Sequence, residues 1–138
     1  MNSKSFSINS EYKNVSSVCF IVKTFCEDNN IPEAHIREIE LSLAEALNNI
    51  IKHAYKGNES EIIKINAECD ESKVAIVLTD FGEPRKNLDP PKLEFDPNDI
   101  DSLPEGGMGL YIIEQLMDEN IFSSDGDKNT FKLIKNIA

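Results

Sequence analysis

Between residues 33 and 55, Ile36, Ile39, Leu43, Leu47, Ile50 and Ala54 recur every three or four positions and fall on one side of a helix. A helix of this kind is held in place by whatever covers its apolar stripe. The residues that follow supply a cover. Segments 61–68 and 73–79 read as strands joined by a turn at 69–72, and Gly57 stops the helix as a C-terminal cap. A second helix is predicted over 15–25, where Val15, Val18, Cys19, Val22, Phe25 and Cys26 keep helical spacing, and Asp28, Asn29, Asn30 and Pro32 break it. A strand at 5–8, a helix at 109–117 and a hairpin of 120–124 with 130–137 around Asp125, Gly126 and Asp127 complete the alternation. The pattern predicts an α+β two-layer sandwich, with helices on one face of a mixed, mostly antiparallel sheet. At 138 residues the chain is read as a single domain, 1–138.

Charge narrows the partners. Fourteen basic and 25 acidic residues leave a net charge of −11, the wrong sign for nucleic acid or an anionic membrane. A partner with a basic surface would suit it. No run is long and apolar enough to span a bilayer, and the polar start lacks the apolar region of a signal peptide. Cys19, Cys26 and Cys69 form no Cys-x-x-Cys pair and are expected to be buried thiols. A cytoplasmic location fits all of this.

Three short segments carry the chemistry. On the long helix, Glu45, Asn49 and His53 advance only 40° per step and form one polar ridge opposite the apolar stripe. A ridge like this is ordinarily a solvated face. Asn48 and Asn49 are nevertheless poor helix formers in mid-helix, and Glu45 with Asn49 offers a base and a hard oxygen ligand on adjacent turns. His53 reads as a packing or supporting residue. Asp80 ends the apolar strand 74–79; it is either a simple turn former or an acceptor for an exocyclic amine, with Gly82 admitting a base against the backbone. Gly106, Gly107 and Gly109 precede a helix, whose free N–H groups and dipole favour an anion. These glycines fit neither a P-loop nor a Rossmann fingerprint. Between acid and glycines, residues 83–105 hold five of the chain's six prolines and no sustained periodicity. They read as a lid or as a disordered insertion, and their position favours the lid.

Glu-x-x-x-Asn on a long helix, Asp-x-Gly after a strand, a variable lid and a Gly-x-Gly helix start, in this order, resemble the ATPase fold shared by gyrase, heat-shock chaperones and sensor histidine kinases. Within that superfamily the chain is most similar to the small bacterial anti-sigma factor serine-protein kinases. Stretches 43–55 and 105–118 carry the resemblance, which extends over about residues 6–137. It implies a serine/threonine-protein kinase that uses ATP and Mg2+, phosphorylates a small anti-sigma factor antagonist, sequesters a sigma factor and forms a homodimer. Glu45 then resembles the general base and Asn49 the magnesium ligand, with Lys52 and His53 beside them at the nucleotide. Asp80 and Gly82 resemble the adenine-reading pair, and Thr130 the hairpin threonine that supports the acid. Gly106, Gly107, Met108, Gly109 and Leu110 resemble the phosphate-binding hinge of the lid.

Two departures stand out. Pro84 replaces a second glycine after Asp-x-Gly, and no Arg or Lys lies between Leu93 and Glu105. Lys52 and lid cations such as Arg85 are therefore both candidates for the γ-phosphate. Length argues against a histidine kinase with its own phosphoacceptor domain and against a gyrase-like motor. The alternative to a kinase is an ATP-binding regulatory interaction module with little or no activity; retention of both Glu45 and Asn49 favours the kinase.

Overall fold

A computed structural model describes residues 2–84 and 108–138. The expected lid beyond Pro84, with Arg85, Gly106 and Gly107, lies outside the described residues. In chain order the elements are β1 (Asn2–Asn9), α1 (Lys13–Asp28), α2 (Glu33–Asn49), a π-helical turn (Ile50–Ala54), β2 (Ile62–Cys69), β3 (Lys73–Asp80), α3 (Met108–Leu116), β4 (Glu119–Asp125) and β5 (Lys128–Asn136). The strands form one sheet in the order β1-β2-β3-β5-β4, and every neighbouring pair is antiparallel.

Alternation decides which sheet face is covered. Ile63, Ile65 and Ala67 of β2, Val74, Ile76 and Leu78 of β3, and Phe131 and Leu133 of β5 join the core. They pack with Ile39, Leu43 and Leu47 of α2 and Val18 and Val22 of α1, none more than 1% exposed. The stripe that predicted α2 is thus its sheet-facing side. Truncating one of these residues, Leu47→Ala for example, costs about 2–5 kcal/mol.

The long helix departs from expectation at its end. An unbroken α-helix to Tyr55 is predicted, but after Asn49 the chain widens into a π turn, with the Tyr55 N–H reaching the Ile50 carbonyl at 3.0 Å. Such turns recur at functional sites. Two left-handed residues then close the helix, Lys56 at φ 51° and Gly57 at φ 81°, and the Gly57 N–H reaches back to the Ile51 carbonyl at 2.8 Å. The predicted cap is where it was expected.

Candidate functional site

The π turn and the end of β3 are stitched together. The Ala54 carbonyl accepts the Glu83 N–H at 2.9 Å. Gly82 lies so close beneath that carbonyl that a Cβ would come within 2.3 Å of its oxygen. Only glycine fits. Tyr55, the first residue after the turn, accepts the Phe81 N–H at 2.8 Å and donates its hydroxyl to the Ile62 carbonyl. Burial pushes the Tyr55 phenol's pKa up, which keeps it a neutral donor.

This stitching places Asp80. Its carboxylate is 4% exposed, and a buried carboxylate needs donors. The Gly82 N–H and Asn129 Nδ2 both donate to Oδ1, each at 2.9 Å. Asn129 stands opposite Asp80 in the β3–β5 register. It also donates to the Gly82 carbonyl at 2.9 Å and accepts from the Ser124 hydroxyl at 2.9 Å. Neither bond to Asp80 uses Oδ2, which is left as an acceptor on a side chain that borders a cleft.

The cleft is walled by apolar Ile50, Ala54, Leu110 and Phe122, with Asn49 and Asp80 among its polar residues. Phe122 meets Phe131 edge-on behind it, with ring centroids 6.5 Å apart. It encloses about 20 Å³, enough for one water. A purine enters only if Leu110, Phe122 or the start of α3 gives way. None of the described residues lining the cleft is basic.

At the other end of the cleft α3 packs on α2. A Cβ added at Gly109 would stand 2.7 Å from Glu45 Oε2 and 3.3 Å from Asn49 Nδ2. The polar ridge is therefore no solvated helix face. Glu45 and Asn49 are half-buried beneath the opening turn of α3. A carboxylate, an amide and the positive end of a helix dipole converge there, an arrangement suited to a hydroxyl to be activated, a hydrated cation and an anion respectively.

The structure thus brings Glu45, Asn49, Asp80, Gly82, Gly109 and Leu110 to one cleft and its rims, and Met108 opens α3 beside it. Lys52 and His53 instead lie exposed on the π turn and do not line the cleft. Thr130 differs as well. It pairs with Thr79 and Ser123, one residue out of phase with Asn129, and so points to the opposite face of the sheet from Asp80. The side chain that holds Asp80 is Asn129, which sequence reasoning missed. Its advance signal was alternation: Asn129, just before the predicted strand 130–137, is in phase with apolar Phe131 and Leu133, as Thr130 is not.

With this geometry the molecule falls among ATPase-type nucleotide-binding folds built from a two-layer α+β sandwich. Residues 8–135 match the histidine kinase-like ATPase domain, and the chain belongs to that family. It is 42% identical over 89 residues to the serine-protein kinase RsbW of Staphylococcus aureus, a match covering 61% of this chain and 55% of the relative. The chain thus matches about half the length of this curated relative. Two solved structures share the fold at 14% identity. The RsbU and RsbW domains of a Mycobacterium tuberculosis protein superpose with a TM-score of 0.69 over 98% of this chain and 32% of theirs. The SiaB–SiaC complex of Pseudomonas aeruginosa gives 0.65 over 97% and 88%. Among the described residues no helix is long and apolar enough to cross a membrane.

Proposed function

We propose that this protein is an ATP- and magnesium-dependent serine/threonine-protein kinase that phosphorylates a small anti-sigma factor antagonist and alternately sequesters a sigma factor. The observation that carries the proposal is the seating of Gly109 against Glu45 and Asn49, across the cleft from Asp80. Likeness to the serine-protein kinase RsbW supports it.

Asp80 Oδ2 accepts a hydrogen bond from the exocyclic amine of adenine, which distinguishes it from guanine, while Gly82 and Asn129 hold the carboxylate still. Leu110 and Ile50 cover the faces of the base. Asn49 would hold magnesium through its side-chain oxygen. A single amide suits an ion that keeps several waters and takes further ligands from phosphates. Held there, the ion would neutralise charge on the phosphates, which an acidic cleft otherwise repels. The backbone at the start of α3 faces the same phosphates. Glu45 takes the proton of the incoming Ser or Thr hydroxyl as that oxygen attacks the γ-phosphorus and the bond to ADP breaks.

The net charge of −11 fits a basic sigma factor. Phosphorylating the antagonist adds nearly two negative charges opposite an acidic protein and drives its release. Exchange then requires that ATP and ADP favour different partner complexes. Labelled ATP-Mg, mixed with the protein and candidate antagonists, should transfer label to a Ser or Thr. Pull-downs in ADP and ATP should retain a sigma factor in one state more than the other. ATP binding with no transfer to any antagonist would reduce the protein to a nucleotide-dependent binding module.

A further inference from the structure

Lys135 is the one lysine in the described core, 9% exposed on the helix-facing row of β5. Its ammonium donates to Glu38 Oε2 on α2 and to the Leu116 carbonyl at 2.8 Å. A buried cation requires compensation, and both partners supply it. The Leu116 carbonyl belongs to the last turn of α3, where carbonyls lack helical partners and the dipole favours positive charge. The residues beside Lys135 tighten the same junction. The Asp118 N–H donates to the Ile134 carbonyl at 2.9 Å, and the Asn136 N–H to Asp118 Oδ2 at 2.6 Å.

The spacing gives this junction a consequence for the site. Glu38 lies seven residues before Glu45 on α2, and Leu116 lies seven residues after Gly109 on α3. Seven residues are about 10.5 Å of helix. The two helices therefore run antiparallel with matched contacts, Lys135 joining Glu38 to Leu116 at one end and Gly109 meeting Glu45 at the other. Between them Ser42 and Ala46, both 0% exposed, keep the helices close, and Ile113 of α3 is 1% exposed. α3 has only nine residues. An axial shift at its C-terminus is transmitted to Gly109 undiminished, because a helix is stiff over two turns.

We propose that Lys135 is a positioning residue for phosphoryl transfer: by bridging Glu38 and the Leu116 carbonyl it sets the axial register of α3 and hence the seat of Gly109 against Glu45 and Asn49. This rests on the kinase reading above. Asp80 and Asn129 stand on the sheet and do not depend on that register, so the hydrogen bond that reads adenine should survive its loss, weakened only by what Leu110, which moves with α3, contributes to covering the base.

The test compares Lys135→Met/Glu38→Gln, which removes both charges and strands neither, with Lys135→Arg, which keeps a donor. Circular dichroism and thermal melting establish that each variant is folded. The double variant should bind adenosine within a few-fold of wild type, the part lost being the cover that Leu110 gives, while the rate of transfer from saturating ATP falls on the order of a hundredfold. Lys135→Arg should recover most of that rate. Transfer at wild-type rate in the double variant overturns the inference. So does a parallel loss of adenosine binding and transfer, which would mean general damage. If wild type itself binds ATP but transfers nothing, the kinase reading fails and takes this inference with it; if wild type transfers and the double variant does too, only the inference fails.

Discussion

Gly82 and Gly109 mark the two ends of the cleft, and they are needed for different reasons. A side chain at Gly82 would strike the Ala54 carbonyl oxygen and carbon at 2.3 and 2.6 Å. A side chain at Gly109 would strike the tips of Glu45 and Asn49. Backbone cannot give way without moving the π turn, whereas a carboxylate can swing aside. The Asp80 end is therefore built into the fold, fixed by strand register and by Tyr55 and Asn129. The Gly109 end is assembled where two helices meet, and it holds only while α3 is correctly placed. Selectivity for the base should accordingly persist under changes that abolish chemistry.

Glu45→Ala gives the largest effect and the clearest break between the ends. Phosphate transfer should fall by about 10² to 10⁴, with ATP and partner still bound, because only activation of the hydroxyl is lost. Single-turnover transfer at wild-type rate would remove Glu45 from the chemistry. At the opposite end Asp80→Asn and Asn129→Ala should act on affinity. The first offers one acceptor and turns an amine toward the adenine amine; the second withdraws a donor from Oδ1. Each should weaken adenosine and ATP alike by about 1–3 kcal/mol. Titration calorimetry checks this, and a loss confined to ATP would mean that Asp80 reads something other than the base.

The glycines themselves sharpen the contrast. Gly82→Ala should lower stability by about 1–3 kcal/mol, an overpacking cost with no flexible neighbour to absorb it. Gly109→Ala should leave the thermal midpoint nearly unchanged and slow transfer about tenfold to a hundredfold by displacing Glu45. Melting curves beside transfer rates separate the two. A Gly109→Ala variant that unfolds early would place the Gly109 end in the rigid part of the molecule.

Much of this was legible in the sequence because two periodicities carry it. The 3.6-residue stripe of Ile36 to Ala54 and the alternation at 61–68 and 73–79 each bury one face, so element type and facing follow from pattern alone. What stayed hidden depends on which elements meet. That Glu45 and Asn49 lie beneath α3 cannot be read from α2, on whose own pattern they look like a solvated face. Alternation with Phe131 and Leu133 puts Asn129, and not Thr130, on the covered face, but that Asn129 stands opposite Asp80 depends on the register between β3 and β5, which neither strand carries alone. The π turn that carries Lys52 and His53 follows from no local propensity in Ile50 to Ala54.

The smallest effect lies away from both ends, in the thiols of α1 and β2. Burial, with Cys69 and Glu40 adding to it, pushes Cys26 up from the ordinary 9.0 to about 12. Burial and then Glu40 push Cys19 up to about 11. Below pH 9 both thiols are neutral, folded or unfolded, and their stabilising contribution is fully present. As pH rises from about 9 toward 12 the unfolded chain gives up these protons first, so that contribution is progressively lost. Neither thiol borders the cleft, so base reading and phosphate transfer should decline together with the fold across this range rather than one before the other. Near neutral pH the folded protein should resist alkylation at Cys26, since thiolate is the reactive form. Denaturant midpoints near pH 8 and about pH 10.5 should fall less steeply for Cys26→Ala than for wild type, whatever the substitution costs in packing. An equal slope in the two proteins would assign the alkaline loss to other buried groups, Tyr55 first among them.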